Sequence, residues 1–286
     1  WTESRFNFIT SKEKWFFNGE LQFHIFPENY YGLGNTALAD DEENYDAKRL
    51  NIDISALKNL KPGRELFIGP RFRTLWMFDI ESSLPDGFFS GQLVPGGEGG
   101  LYMGLGLRFQ WDQRKGYTVT NPRRGHFISL SGVGFREDWL SDETFGLFEA
   151  DVRKYWSPPT KFRDVIAVQL LGQAAPGAPP FRLMPMMGSS RDMRAYYAGR
   201  FRDNYYASTQ VEYRVDLWWR VGMVFWGGVG EVWGPNSEPT FNSLKPTAGG
   251  GFRFKIDREN DVNLRIDYGI GSTGNRGLYF SLGEAF

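Results

Sequence analysis

The stretch NYYASTQVEYRVDLWW, residues 204–219, alternates in polarity along nearly its whole length. One set of alternate positions is mostly apolar and comprises Ala207, Thr209, Val211, Tyr213, Val215, Leu217 and Trp219. The positions between them are polar or charged and comprise Ser208, Gln210, Glu212, Arg214 and Asp216. Because successive side chains of a β-strand point to opposite faces, this period predicts a strand with one apolar and one charged face.

The same alternation recurs in WFFNGELQFHIF, residues 15–26, and in DVNLRIDYGIG, residues 261–271. A charged inner face is unsuited to the packed interior of a β-sandwich. It is typical of a barrel that has a watery lumen and a lipid-facing exterior. A solvated antiparallel sheet would alternate in the same way, and that alternative stays open on the pattern alone.

Composition favours β structure without deciding between membrane and soluble forms. The 286 residues include 35 Gly, 25 Phe, 13 Tyr and 10 Trp, with no Cys and with 33 Lys+Arg against 34 Asp+Glu. A nearly neutral chain argues against a general nucleic-acid binder, and the lack of cysteine excludes disulfides and thiol nucleophiles. No apolar run approaches the roughly 18 residues of a membrane-spanning helix. The first residues do not resemble a secretion leader, so we expect a mature or trimmed chain.

The pattern predicts about twelve antiparallel strands. They lie near residues 15–26, 47–59, 65–80, 100–112, 126–136, 144–157, 164–175, 205–218, 220–233, 246–257, 262–272 and 277–286. Long connections, among them 27–46, 81–99 and 177–204, alternate with short turns, which is the pattern of outer-membrane barrels. We therefore predict a single transmembrane β-barrel domain, residues 1–286, in the outer membrane of a Gram-negative bacterium. An even strand number places both termini in the periplasm.

Three segments together resemble one family. They are DQRKGYTVTNPRRGHF at 112–127, GSSRDMRAYYAGRFRDN at 188–204, and LRIDYGIG with GLYFSLGEAF at 264–286. In this order they are similar to the inner turn, the outer-loop motif and the last strands of the BamA/TamA-like superfamily of outer-membrane assembly and translocation barrels. Family barrels usually have sixteen strands and follow periplasmic POTRA modules, and no POTRA module is found here. Sixteen strands is the alternative count if N-terminal strands are missing from this chain.

The resemblance implies that the loop 177–204 folds back into the lumen and is anchored there by an arginine. Arg194 matches that arginine, Tyr196 matches the aromatic residue of the tip, and Ala195 replaces the usual glycine. Glu212 matches the wall glutamate, whereas Gly228 stands where a second wall acid is expected. We therefore expect Arg194 to have one carboxylate partner.

Further residues take their expected roles from the same resemblance. Supporting residues of the loop are Arg191, Met193, Gly199, Arg200 and Asp203. The inner-turn motif comprises Asp112, Arg114, Pro122 and Gly125. The assembly signal comprises Phe280, Leu282 and Phe286, on a last strand that runs to Phe286 and closes the barrel against the first strand. Independently of the resemblance, interfacial aromatic girdles are expected from Tyr155, Trp156, Trp218, Trp219, Trp226 and Trp233. The Gly249–Gly251 run is expected to permit a bend or a close approach.

The resemblance implies assistance in the insertion or assembly of outer-membrane proteins, or translocation of a polypeptide or lipid. The alternative is a structural or plugged pore-forming barrel without insertase activity. An enzyme is not expected, because neither His24 nor His126 has a serine at a catalytic spacing. No metal and no cofactor is predicted. Expected partners are outer-membrane lipid, the barrel-assembly machinery, unfolded outer-membrane proteins or a periplasmic partner; a homodimer is left open, and nucleic acid is not expected.

Overall fold

The structure, a computed structural model, describes residues 2–10, 14–61, 65–82, 84–115, 120–160, 163–235, 239–240 and 243–286. The strands are β1 (Thr2–Ile9), β2 (Trp15–His24), β3 (Glu28–Tyr30), β4 (Glu43–Lys61), β5 (Leu66–Ser82), β6 (Gly100–Asp112), β7 (Gly125–Phe135), β8 (Phe145–Trp156), β9 (Val165–Ala174), β10 (Met186–Met187), β11 (Phe201–Arg202), β12 (Tyr205–Trp218), β13 (Val221–Trp233), β14 (Lys245–Asp257), β15 (Val262–Gly271) and β16 (Arg276–Leu282). Across these ranges, no helix has both the length and the apolar character needed to cross a membrane.

One antiparallel sheet holds fourteen of these strands. Thirteen follow a meander in chain order, the short β3 pairs only with β4, and β10 with β11 forms a separate two-stranded ribbon. The all-β antiparallel prediction is confirmed, but the predicted count of about twelve is too low. Residues 2–9 form a full strand, paired from Thr2↔Phe23 to Ile9↔Phe16. The prediction that both termini lie in the periplasm assumed an even number of strands. The meander has thirteen strands, so that argument no longer applies.

The last strand differs from its prediction. β16 ends at Leu282, and Gly283 then turns the chain with a φ of 77°. Within the described ranges β16 pairs only with β15 and β1 only with β2, so the expected closure between first and last strands is not observed. The sheet is nevertheless strongly curved, because Phe286 packs with Tyr155 and Ala167 of the distant strands β8 and β9.

The two faces of the sheet separate apolar from charged side chains. The outward face is an exposed apolar band that includes Leu105, Leu107, Leu130, Phe148, Leu170, Val211, Phe225, Phe252, Ile270, Leu278, Phe280 and Leu282. Inward positions of β12 and β15 are buried and polar, among them Glu212, Arg214, Arg265 and Asp267. The alternation predicted for these two strands is confirmed, and the enclosed face bounds a lumen.

The sequence predicted a watery lumen throughout, but one half of the lumen is apolar. Its half nearer the long connections holds an apolar core in which Tyr30, Tyr45, Phe89 and Phe181 meet in edge-to-face or tilted contacts at ring distances of 4.7–5.6 Å. Buried Glu43 accepts hydrogen bonds from the backbone of Phe88 and Phe89, which ties loop 84–99 to β4. The loops fold into this half because burying their aromatic side chains together removes apolar surface from water.

Candidate functional site

The connection 175–204 between β9 and β12 carries the β10–β11 ribbon and a tip at residues 193–196 that lies against inward side chains of the wall. Met193 and Ala195 both have positive φ values, 47° and 130°. Ala195 therefore adopts a conformation that favours glycine, at the position where the resemblance expects one. Holding a non-glycine residue there costs about 1–3 kcal/mol, so surrounding contacts must maintain the tip.

Arg194 is completely buried, with 0 % of its surface exposed. Its Nη1 donates to Asp267 Oδ2 at 2.7 Å, and its Nη2 donates to Glu212 Oε1. The guanidinium lies 3.8 Å from the centre of the Trp226 ring. Arg194 thus has two carboxylate partners rather than the one expected, and the second comes from β15 rather than from the strand next to β12.

The surroundings explain why the second carboxylate lies on β15. Gly228 sits on β13 opposite Gln210 and Thr247, and a Cβ there would lie 2.9 Å from the carbonyl oxygen of Thr209. Two residues earlier on the same face of β13, the ring of Trp226 fills the space beside Arg194. An acid at position 228 would be crowded in this chain, so Asp267 provides the second negative charge.

Glycines of β14 and β15 create the room for this cluster. A Cβ at Gly249 would lie 2.2 Å from the Trp226 ring, and one at Gly251 would lie 2.0 Å from Asp267 Oδ1. A Cβ at Gly269 would lie 2.6 Å from the carbonyl oxygen of Arg194. Close approach therefore accounts for glycine at these three positions.

The tip is also held through its backbone and through Tyr196. The Ala195 amide donates to the Tyr279 hydroxyl at 3.0 Å, and the Thr247 hydroxyl donates to the Arg194 carbonyl. Tyr196 donates to the Pro246 carbonyl at 2.6 Å and accepts from the Ser272 amide at 2.9 Å. Residues of β14 and β16 and of the turn after β15 thereby fix one short tip.

The ion pairs of Arg194 continue into a buried chain of charges. Arg214 Nε donates to Glu212 Oε2 at 2.8 Å, and Arg253 Nη1 donates to Asp267 Oδ1 at 2.5 Å. Arg253 Nε also donates to Glu284 Oε2 at 2.8 Å, which brings the segment after β16 into the chain. Each carboxylate has at least two guanidinium neighbours, so removing one acid takes a partner from more than one buried cation.

The supporting loop residues pack or bond locally rather than joining this chain. Met193 is buried with Met187, Tyr196, Phe201, Tyr206 and Val232. Asp192, which the sequence did not single out, accepts from the Tyr206 and Ser208 hydroxyls, and burial raises the pKa of its carboxyl. The carbonyl of Arg191 accepts from Gln210 at 2.8 Å.

Three supporting residues lie nearer the start of β12. Gly199 has a φ of 79°, and Arg200 Nη2 donates to the Ala37 carbonyl at 2.8 Å. Asp203 Oδ1 accepts from the amide of Asn204 at 2.8 Å. These contacts shape the base of the loop, and none of them reaches Arg194.

The inner-turn residues form a separate cluster at the opposite end of the lumen. Arg114 Nε and Nη2 donate to Asp112 at 2.9 and 2.6 Å, and the guanidinium lies over the Phe127 ring. Gly125 has a φ of 103°, and a Cβ there would lie 2.0 Å from the Gln113 carbonyl oxygen. Pro122 is buried. Residues 116–119 of this turn lie outside the described residues.

The three residues of the expected assembly signal do not share one face. Phe280 and Leu282 are 67 % and 62 % exposed on the outward face. Phe286 is only 4 % exposed, packs inside against β8 and β9, and accepts a hydrogen bond from Arg214 Nη2 on its carbonyl at 2.8 Å. A strand running to Phe286 would have left this side chain on the outside, so the sequence-based placement is wrong.

Two of the expected girdle residues also face inward. Trp226 stacks under Arg194, and Tyr155 packs with Phe286. Trp156, Trp218 and Trp219 are exposed at strand ends near the short turns. His24 contacts Glu28 at 3.4 Å, and the His126 and Trp111 rings meet edge to face. In the described part of the chain, no three His, Asp or Glu side chains form a metal-binding group.

Comparison with solved structures shows the fold. A BamA from Haemophilus ducreyi lacking POTRA domains 1–3 superposes with a TM-score of 0.62 at 12 % identity, covering 98 % of this chain and 59 % of that one. CdiB from Acinetobacter baumannii gives a TM-score of 0.62 at 14 % identity, covering 94 % of this chain and 47 % of that one. This chain thus spans less than two thirds of either structure. No protein-family model and no curated protein sequence matches it.

Proposed function

We propose that this chain forms an outer-membrane barrel that assists the insertion or assembly of outer-membrane proteins, or moves a polypeptide or lipid across that membrane. The observation that carries the proposal is the loop tip, where Arg194 is held between Glu212 and Asp267 inside the lumen. The barrel fold shared with BamA and CdiB supports it. Well-packed apolar residues would hold a loop at no such desolvation cost, so the buried charges at the tip support a role beyond packing.

The outward face supports placement in a membrane. Its apolar band would contact lipid, and exposed Trp156, Trp218 and Trp219 would lie at one interface. Near the other ends of the strands, Trp76 and Trp139 are also exposed. We propose that the long loops face outside and the short turns face the periplasm, where the assembly machinery, an unfolded client or a periplasmic partner would approach.

The proposed mechanism uses no nucleotide and no covalent chemistry. A seam between the first and last strands of the complete barrel would open, and the free strand edges would pair with an incoming strand. Thinning of the nearby bilayer would lower the barrier to insertion. The anchored loop would keep the lumen filled while the seam opens.

A second candidate is a structural or plugged barrel without insertase activity. The apolar core of Tyr30, Tyr45, Phe89 and Phe181 favours it, because aromatic side chains packed together inside the lumen would hinder free passage. This candidate predicts no acceleration of client folding and no conductance while the loops are intact.

The deciding experiment times the folding of an unfolded outer-membrane protein into liposomes that contain the purified barrel. Arg194→Ala tests the anchor, and Arg136→Ala, at an exposed loop pair with Asp138, is the matched control. We expect acceleration by the wild type and the control but not by Arg194→Ala. If correctly folded wild-type barrel gives no acceleration, the insertase proposal is wrong and the structural candidate replaces it.

A further inference from the structure

A cavity of about 180 Å³ lies between the inner wall and the loop segment 182–186. The wall contributes side chains from β5, β7, β8 and β9, and the loop covers the cavity with Arg182 and residues 183–186. None of Arg194, Glu212 and Asp267 lines it. The cavity is therefore distinct from the anchor of the loop tip.

Three arginines line this cavity, and they differ in how well they are paired. Arg71 donates to both oxygens of Asp53, at 2.9 and 2.6 Å, and to the Ser131 hydroxyl at 2.6 Å. Arg182 forms an ion pair with Glu28 at 2.9 Å. Arg73 forms no hydrogen bond or ion pair with any residue that the structure describes, and its buried Nε has no partner. Asp53 lies opposite Arg73 on β4, but Arg73 thus lacks a direct hydrogen-bonded partner among the described residues.

Among the side chains that line the cavity, cations outnumber anions. The charged side chains of the lining are Arg71, Arg73, Arg182 and Glu149, while Asp53 and Glu28 are already paired with Arg71 and Arg182. Glu149, which also lines the cavity, accepts a hydrogen bond from Gln173 at 3.2 Å. Three guanidinium groups and one carboxylate therefore line the cavity, and a partly buried cation without a hydrogen-bonded partner is costly unless an anion compensates it.

We propose that this cavity binds a phosphate-type oxyanion, held by Arg73 together with the free N–H groups of Arg71 and Arg182. The guanidinium fork matches the geometry of a tetrahedral oxyanion, and charge-assisted hydrogen bonds make the contact strong. The cavity has room for about six water molecules at about 30 Å³ each, which suffices for one such anion with part of its hydration.

The bound anion joins the loop to the wall. Arg73 belongs to β5, whereas Arg182 belongs to the loop that carries the Arg194 tip. An anion between them is a second tie for this loop, independent of the tip. Occupancy of the cavity therefore stabilises the inner position of the loop without touching Glu212 or Asp267.

The test is a titration of the purified, folded protein in detergent with inorganic phosphate at constant ionic strength, compared with chloride. The readout is the thermal unfolding midpoint, and Arg73→Gln is compared with Arg136→Gln as a matched loss of one arginine. We expect a saturable upward shift with phosphate in the wild type and in Arg136→Gln. In Arg73→Gln the affinity falls by about tenfold or more, because its charge-assisted hydrogen bonds are lost.

A second measurement does not depend on the folding of the variant. Anomalous scattering from crystals of the wild type soaked in selenate should locate an anion between Arg73 and Arg182. A parallel titration with sn-glycerol 3-phosphate distinguishes a site for free phosphate from a site for a phosphate ester. Only a site for the ester should bind glycerol 3-phosphate more tightly than inorganic phosphate. Any of three results would overturn the proposal. Phosphate and chloride could shift the unfolding midpoint equally, folded Arg73→Gln could respond to phosphate as the wild type does, or selenate could be absent from the cavity. Insertase activity does not enter this readout.

Discussion

At the scale of single residues, Arg194 determines what its neighbours must be. A buried guanidinium needs negative charge close by, and Glu212 and Asp267 provide it from opposite sides. The sequence identified Glu212 because strand alternation and the loop motif agree on it. The alternation of residues 261–271 also puts Asp267 on the charged face, but it does not put Asp267 beside Arg194, because that contact joins residues 73 positions apart. Alternation assigns a side chain to a face, whereas the curvature of the sheet decides which side chains meet.

Replacement of Asp267 by asparagine tests its part in the anchor. The change removes one negative charge that Arg194 and Arg253 share, so we expect a loss of about 3–5 kcal/mol in the free energy of unfolding. The measurement is urea-induced unfolding of the refolded barrel in lipid vesicles. Asp138→Asn, in an exposed loop pair, should change this value by less than about 1 kcal/mol. A similarly small change in Asp267→Asn would mean that Glu212 alone holds the tip.

Ala195 carries backbone strain that glycine would relieve. At a φ of 130° an alanine is disfavoured, so Ala195→Gly should raise the free energy of unfolding by about 1 kcal/mol. The same urea titration measures it, with Ala207→Gly in the extended strand β12 as the control that should destabilise. A loss of stability in Ala195→Gly would show that contacts of the alanine methyl outweigh the strain.

At the scale of elements, the segment after β16 departs most from its prediction. The apolar alternation of Leu278, Phe280 and Leu282 predicts a lipid-facing strand, and to Leu282 that is observed. Gly283 then takes a left-handed turn, and Glu284 pairs with Arg253 inside the lumen. Gly283 and the charged Glu284 could have indicated that the strand ends before them, because both residues interrupt a lipid-facing strand. The prediction nevertheless extended the strand to Phe286, because this apolar residue continues the alternation of Leu278, Phe280 and Leu282.

Replacement of Phe286 distinguishes a role in packing from a role as an assembly signal. Its ring is buried with Tyr155, Val165 and Ala167, so Phe286→Ala should cost about 3 kcal/mol in the urea titration of the refolded barrel. Glu137→Ala, in an exposed loop, serves as the control and should change little. If Phe286 acts only as an assembly address, the variant would be lost from the outer membrane of cells while its stability in vitro stays that of the wild type.

At the scale of the whole molecule, the buried charges connect the two ends of the lumen. The loop tip arrives from the long-loop end and the segment 283–286 from the short-turn end, and both reach the same ionic chain. Arg253 bridges Asp267 to Glu284, and Arg214 bridges Glu212 to the carbonyl of Phe286. The all-β fold was predictable from alternation, but this connection was not, since it depends on contacts across the lumen between distant strands.

The connection predicts energetic coupling between residues that do not touch. In a double-mutant cycle, Arg194→Gln and Glu284→Gln should differ from additivity by at least about 0.5 kcal/mol in the free energy of unfolding. The reason is that each change alters the charge available to Asp267, Arg253 and Glu212, so the second meets a different network. Arg194→Gln combined with Asp138→Asn is the control cycle and should be additive. Additivity of the first cycle to within about 0.3 kcal/mol would show that loop tip and segment 283–286 are held independently, in which case opening one end of the lumen would leave the other unchanged.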